Sequence, residues 1–89
     1  MDEAKERLRE IFARALRRPE SRGPIGDTNL VRDLGIDSIS TMEILIWVED
    51  EFRIVIEDQD LSPRLVDSLD VLATYVAQAR PRPEQATAR

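Results

Sequence analysis

The sequence predicts an all-α bundle of three main helices plus one short one, with a long first loop. Three observations carry that prediction. Apolar residues recur at three- and four-residue steps in three separate stretches. The only strand-like run, Ile54-Val55-Ile56, has nothing nearby in the chain to pair with. The chain has 89 residues and no cysteine, so it fits one small domain with a modest core and no disulfide staple.

The elements follow in order. Ala4, Leu8, Ile11, Phe12, Ala15 and Leu16 lie on one face of a first helix. Asp2 and Glu3 sit in its first turn and Arg14, Arg17 and Arg18 near its end, as the helix dipole prefers. Pro19 is expected to stop it. Residues 19–36 form a loop punctuated by Pro19, Gly23, Pro24, Gly26 and Gly35. Leu30, Val31 and Leu34 are expected to pin that loop to the core through one short helical turn.

A second helix runs from Ser38 to Phe52, with Asp37 or Ser38 capping its start. Ile54-Val55-Ile56 reads as an extended linker that buries alternate side chains. A short acidic piece, Glu57 to Leu61, follows. Asp67 or Ser68 caps a last helix whose buried stripe is Leu69, Leu72, Ala73 and Val76. Residues 1–79 thus form one domain. Residues 80–89 have two prolines and no apolar stripe, so a disordered tail or linker stub is expected there.

Composition excludes several classes of function. With no histidine, the usual general base and the commonest transition-metal ligand are missing. No run of eighteen apolar residues exists, so no membrane span is expected. The acidic N-terminus lacks the basic start of a secretory signal, and a cytoplasmic monomer is the expectation. Net charge is −5, unevenly spread. Residues 27–70 hold twelve acidic side chains and three basic ones, Arg32, Arg53 and Arg64. Both flanking stretches are mildly basic. The acidic middle would repel nucleic acid and attract a basic protein partner.

The second helix has two apolar stripes. At about 100° per residue, Thr41, Ile44, Leu45, Val48 and Phe52 share a core arc. Ile39, Met42 and Ile46 fall on another side, bordered by Glu43, Glu49 and Asp50. A second apolar stripe rimmed by acids reads as a docking face. The competing reading buries Ile39 and Met42 under the long loop and leaves Ile46 exposed. Trp47 lies at the border of the core arc, packed on the loop or the first helix. Tyr75 reads as a packing residue with its hydroxyl in water. Glu57, Asp58 and Asp60 lack the central glycine and closing glutamate of a calcium loop.

Ser38 stands at the start of this helix, behind a glycine turn and an aspartate. A serine nucleophile needs a base within reach and a group to orient it. Without histidine only Lys5 or a carboxylate could serve, and the surroundings are not Gly-x-Ser-x-Gly. An enzyme is not expected. Ser38 is either a plain helix cap or a point of attachment.

Asp33-Leu34-Gly35-Ile36-Asp37-Ser38-Ile39 resembles the attachment motif of acyl carrier proteins. Glu43 and Glu49-Asp50-Glu51-Phe52 resemble that family's acidic second helix. Ile54 to Asp58 and Asp67 to Tyr75 resemble its later segments in the right order. The resemblance implies a four-helix bundle whose Ser38 bears 4′-phosphopantetheine, transferred from coenzyme A by a phosphopantetheinyl transferase. It implies acyl thioesters on the arm and partner enzymes on the second helix: an acyltransferase or ketosynthase, or an acyl or aminoacyl ligase. Asp37, Ile39, Met42, Glu43, Ile46, Glu49 and Asp50 are the docking residues so implied.

A phosphodiester on Ser38 is expected to meet free backbone N–H groups at the positive end of the helix. Ser40 departs from the acidic residue common in the family at that place. Ile36 replaces the glycine usual in peptidyl carriers, which leans toward a polyketide or fatty-acid-type pathway. A discrete aminoacyl or peptidyl carrier, of the nonribosomal peptide or D-alanyl type, has a similar core. An unmodified carrier-like helical adaptor is the reading from another class.

Overall fold

The computed structural model describes residues 2–19, 23 and 25–82. Among these the elements are α1 (Asp2–Ala15), α2 (Leu30–Leu34), α3 (Ser38–Phe52), a 3-10 turn (Asp58–Asp60), α4 (Pro63–Val66) and α5 (Leu69–Gln78). The fold is the all-α bundle that the periodicity predicts, with α1, α3 and α5 as its long members. α1 packs against both α3 and α5, and α4 joins α2, α3 and α5. Leu8 and Phe12 of α1, Ile44, Leu45 and Val48 of α3, and Leu69 and Leu72 of α5 meet in a fully buried centre. Ile25, Leu30 and Ile36 fix the long loop to that centre. None of the described helices is long and apolar enough to cross a membrane.

Three helices end in the same way, on a residue in the left-handed conformation. Gly35 (φ 65°) closes α2 with its N–H on the Val31 carbonyl. Arg53 (φ 57°) closes α3 with its N–H on the Glu49 carbonyl. Arg17 (φ 54°) closes α1, where Arg18 N–H reaches the Ala13 carbonyl at 2.8 Å and Arg17 N–H reaches that of Arg14 at 3.2 Å. That double bond pattern is a Schellman turn. It ends α1 before the chain reaches Pro19, the residue expected to stop it. Glycine takes this conformation without penalty, whereas each arginine meets a Cβ clash of about 1 kcal/mol.

Long-range hydrogen bonds decide details that local patterns leave open. Ser68 is the cap of α5, its Oγ accepting from Val71 N–H at 3.2 Å. Asp67 instead serves α2. Its carbonyl accepts from Leu30 N–H at 3.0 Å and its carboxylate from Val31 N–H at 2.9 Å. The loop is also held from α1: Lys5 bridges Asp27 (3.2 Å) and Asp70 (2.8 Å), and Arg9 pairs with Asp27.

Two features differ from the sequence expectation. A helix, α4, forms beyond the acidic piece, opened by Ser62 with Pro63 in its first turn. Ile54 also finds a partner, an antiparallel bridge to Pro81. Val55 N–H donates to the Arg80 carbonyl (2.9 Å) and Arg82 N–H to that of Arg53 (3.0 Å). Ile54 and Ile56 are buried with Val55 between them half-buried, as alternation requires. Residues 80–82 therefore lie on the body of the domain. Residues 83–89, the rest of the expected tail, fall outside the described residues.

Candidate functional site

The turn before α3 is fixed on both sides of Ser38. Ile36 is a buried plug directly after Gly35. Asp37 then adopts extended backbone (φ −98°, ψ −173°) and caps α3, its Oδ1 accepting from Ser40 N–H at 2.8 Å. Its carbonyl accepts both Thr41 N–H and Thr41 Oγ1–H, each at 2.9 Å. Thr41 is the one buried polar side chain among the described residues, and this bond satisfies it. Ser38, the first residue of α3, emerges between these anchors. It is exposed, and its hydroxyl makes no hydrogen bond to a described residue. The cap is Asp37 rather than Ser38, so the serine oxygen is left over.

Asp37 also alters the expected anion site. Ser40 N–H, and then the Ser40 hydroxyl, hold the Asp37 carboxyl below the usual carboxylate range. One of the donors expected to face an added phosphate is therefore already taken, and a negative charge stands beside Ser38.

The outer face of α3 carries the second stripe. Ile39 is 71% exposed, Met42 41% and Ile46 50%, while Thr41, Ile44, Leu45 and Val48 are buried. The loop covers neither Ile39 nor Met42. Glu43 is exposed beside them, with no ion pair among the described residues. Glu49 is drawn inward instead, its Oε2 accepting from Ile56 N–H at 2.8 Å. Asp50 is paired with Arg82 at 3.1 Å. Asp37, Ile39, Met42, Glu43 and Ile46 thus face outward around Ser38, and Glu49 and Asp50 are tied to the 54–82 side. Local spacing could not show this, because Ile56 and Arg82 reach α3 only through the fold.

Trp47 faces α1 as expected yet stays 41% exposed. It lines an open groove of about 430 Å³ with Arg7, Glu10, Ile11, Arg14, Asp50 and Glu51. Arg7 lies over the Phe52 ring at 4.7 Å and pairs with Glu51 at 2.6 Å. Tyr75 corrects the sequence reading. Its hydroxyl donates to Asp60 Oδ2 at 2.7 Å and accepts from Glu57 N–H at 3.2 Å, so it is bound within the protein. The acidic piece is likewise committed to internal contacts, with Glu57 also paired to Arg80 at 2.9 Å.

An acidic helical bundle that offers an unengaged serine at a helix start, beside an exposed apolar stripe, has the form of a carrier. The comparisons define that class. The phosphopantetheine attachment site family matches residues 6–76. Acyl carrier protein 3 of Ralstonia nicotianae (strain ATCC BAA-1114 / GMI1000) is 32% identical over 74 residues, which cover 83% of this chain and 82% of that protein. This chain belongs to the phosphopantetheine-binding acyl carrier protein family. It is a carrier and not an enzyme, and its prosthetic group is 4′-phosphopantetheine. Its partners are phosphopantetheinyl transferases and acyl-handling enzymes.

Proposed function

We propose that the protein carries acyl groups for a polyketide or fatty-acid-type pathway, with Ser38 as the attachment residue for 4′-phosphopantetheine. The observation that carries this reading is Ser38: exposed, its hydroxyl without a hydrogen bond among the described residues, at a fixed helix entrance. When bound, the group supplies a terminal thiol that holds acyl chains as thioesters. The chain's own residues do the rest. Ser38 Oγ attacks the coenzyme A phosphate attached to pantetheine, giving up its proton to the transferase as 3′,5′-adenosine diphosphate leaves. The Ile36 plug and the Asp37 cap hold the hydroxyl in one place for that attack. Ile39, Met42 and Ile46 offer apolar contact to a partner, and Glu43 and Asp37 supply charge that draws a basic surface toward Ser38. A small, partly polar contact of this kind dissociates quickly, which suits a shuttle. The work is placed in the cytoplasm, where transferase and coenzyme A meet the chain.

Incubation with coenzyme A and a broad-specificity transferase tests the attachment. The expected result is an intact-mass gain of one phosphopantetheine on the wild type and none on Ser38→Ala. No gain where a control carrier is modified would instead support an unmodified adaptor. Loading by an adenylating ligase, against transfer by an acyl or malonyl transferase, separates aminoacyl from acyl cargo.

A further inference from the structure

Residues 27–70 contain only three basic side chains among twelve acids, and the fold brings two of those three together. Arg32 of α2 and Arg64 of α4 line one shallow groove of about 350 Å³ with Asn29, Val31, Pro63 and Asp67. Both arginines are exposed. Arg64 has no ion pair among the described residues. Arg32 reaches only its neighbour Asp33, at 3.4 Å with both side chains more than half exposed, a contact of little strength. Asp67, the one acid in the groove, has its carboxylate on Val31 N–H. Two exposed arginines without a strong ion pair among the described residues therefore line this groove together with apolar Val31 and Pro63, inside an otherwise acidic segment.

We infer that this groove holds the free carboxylate of a short acyl group carried on the arm, an inference that rests on the Ser38 attachment above. The occupant is argued from reach and charge. Two helical steps and four trans peptides separate Arg32 from Ser38, so their Cα atoms lie no more than about 21 Å apart. An extended arm of about 16 Å with a few further carbons spans that gap. The phosphodiester itself, bonded to Ser38, stays at the start of α3. What arrives at the groove is the distal end, and two arginines select an anionic end over a neutral one. Tethering also compensates for weakness. A surface pair of arginines binds a free carboxylate poorly in water, but a tethered one is present at millimolar effective concentration.

The test uses a phosphopantetheinyl transferase to load the full chain from two stable amide analogues of acyl-coenzyme A, glutaryl and pentanoyl. They match in length and differ in the terminal carboxylate. Intact mass first reports loading on Ser38, and a chain that takes up neither analogue overturns the attachment reading and the inference with it. With both forms loaded, nitrogen–proton NMR spectra are compared. The inference expects backbone amides of Val31, Arg32 and Arg64, and the two arginine Nε–H signals, to shift in the glutaryl form only. It expects that difference to vanish in R32Q/R64Q, whose melting temperature matches the wild type because both side chains are exposed. Identical spectra over residues 29–32 and 63–67 in the two loaded forms would overturn the groove alone. So would glutaryl-specific shifts that persist in the double variant.

Discussion

Tyr75→Phe removes a single oxygen and leaves the ring in place, so it isolates the hydroxyl's bonds. That oxygen donates to Asp60 Oδ2 at 2.7 Å and accepts from Glu57 N–H at 3.2 Å. A hydrogen bond to a charged group contributes about 1.5–3 kcal/mol, less where the carboxylate is partly in water as Asp60 is, and an unmet amide costs about 1 kcal/mol more. The expected loss is about 2 kcal/mol. For a domain of this size that lowers the melting temperature on the order of 10 °C, and the urea midpoint by about 1–2 M. A pH series sharpens the test. Burial first, and the Asp60 contact second, raise the Tyr75 pKa above the usual tyrosine range. A raised acid contributes stability that is complete below its unfolded pKa and fades as pH climbs through the folded one. The wild type should thus lose more stability on that alkaline limb than Tyr75→Phe, which keeps the part set by Lys5, whose pKa Asp70 and then Asp27 also raise. A loss under about 0.5 kcal/mol, with unchanged alkaline slopes, would refute the reasoning and return the hydroxyl to solvent.

Four other outcomes are expected. Met42→Arg or Glu43→Lys lowers turnover by a partner enzyme several-fold while circular dichroism keeps its helical signal; unfolding by either change would show the face to be misplaced. Arg17→Gly and Arg53→Gly each stabilise by about 0.5–1 kcal/mol in urea melts, since glycine takes the left-handed conformation without the Cβ clash; a loss in either variant would contradict that account. Lys5 chiefly, with Arg9, holds Asp27 below the usual carboxylate range, so its contribution is present above that range and lost as pH falls through the lowered pKa. Asp27→Asn should flatten that acid limb. Finally, melting temperature rises from low to moderate salt as repulsion among the acids of residues 43–60 is screened, and rises more in Arg82→Ala; a flat response in both would count against it.

The long helices were legible because each repeats an apolar face over several turns, and tertiary packing has nothing to overrule there. The place of Ser38 at a helix start and the outer position of Ile39, Met42 and Ile46 were legible too, by the turn before the helix and by angle. Whether the loop covered that stripe was not, because angle alone does not place residues 19–36 over one face. The helix α4 could have been found: Ser62-Pro63 is a start signal readable in the sequence. Other features leave no local trace. Asp67 caps a helix 36 residues earlier. Pro81 pairs with Ile54, and Tyr75 reaches back to Asp60 and Glu57. Each was misread or unseen because the partner comes from the fold and not from neighbouring residues.

The ion pairs divide α3 into two electrostatic halves. Toward its C-terminal end, Arg7 takes Glu51 and Arg82 takes Asp50, while Arg80 takes Glu57 just beyond. These cations come from the mildly basic ends of the chain, folded back on the acidic middle. Toward the N-terminal end, Asp37 and Glu43 have no such partners among the described residues. The uncompensated negative charge is therefore concentrated around Ser38 rather than spread along the helix. Screening confines such a field to about 10 Å at moderate salt, so on the proposed docking face a basic partner would be steered by this end and would meet Ile39 and Met42 first. The net charge of the chain alone would suggest a uniformly acidic surface. Pairing across the fold converts it into a directional one, aimed at Ser38, the proposed attachment residue.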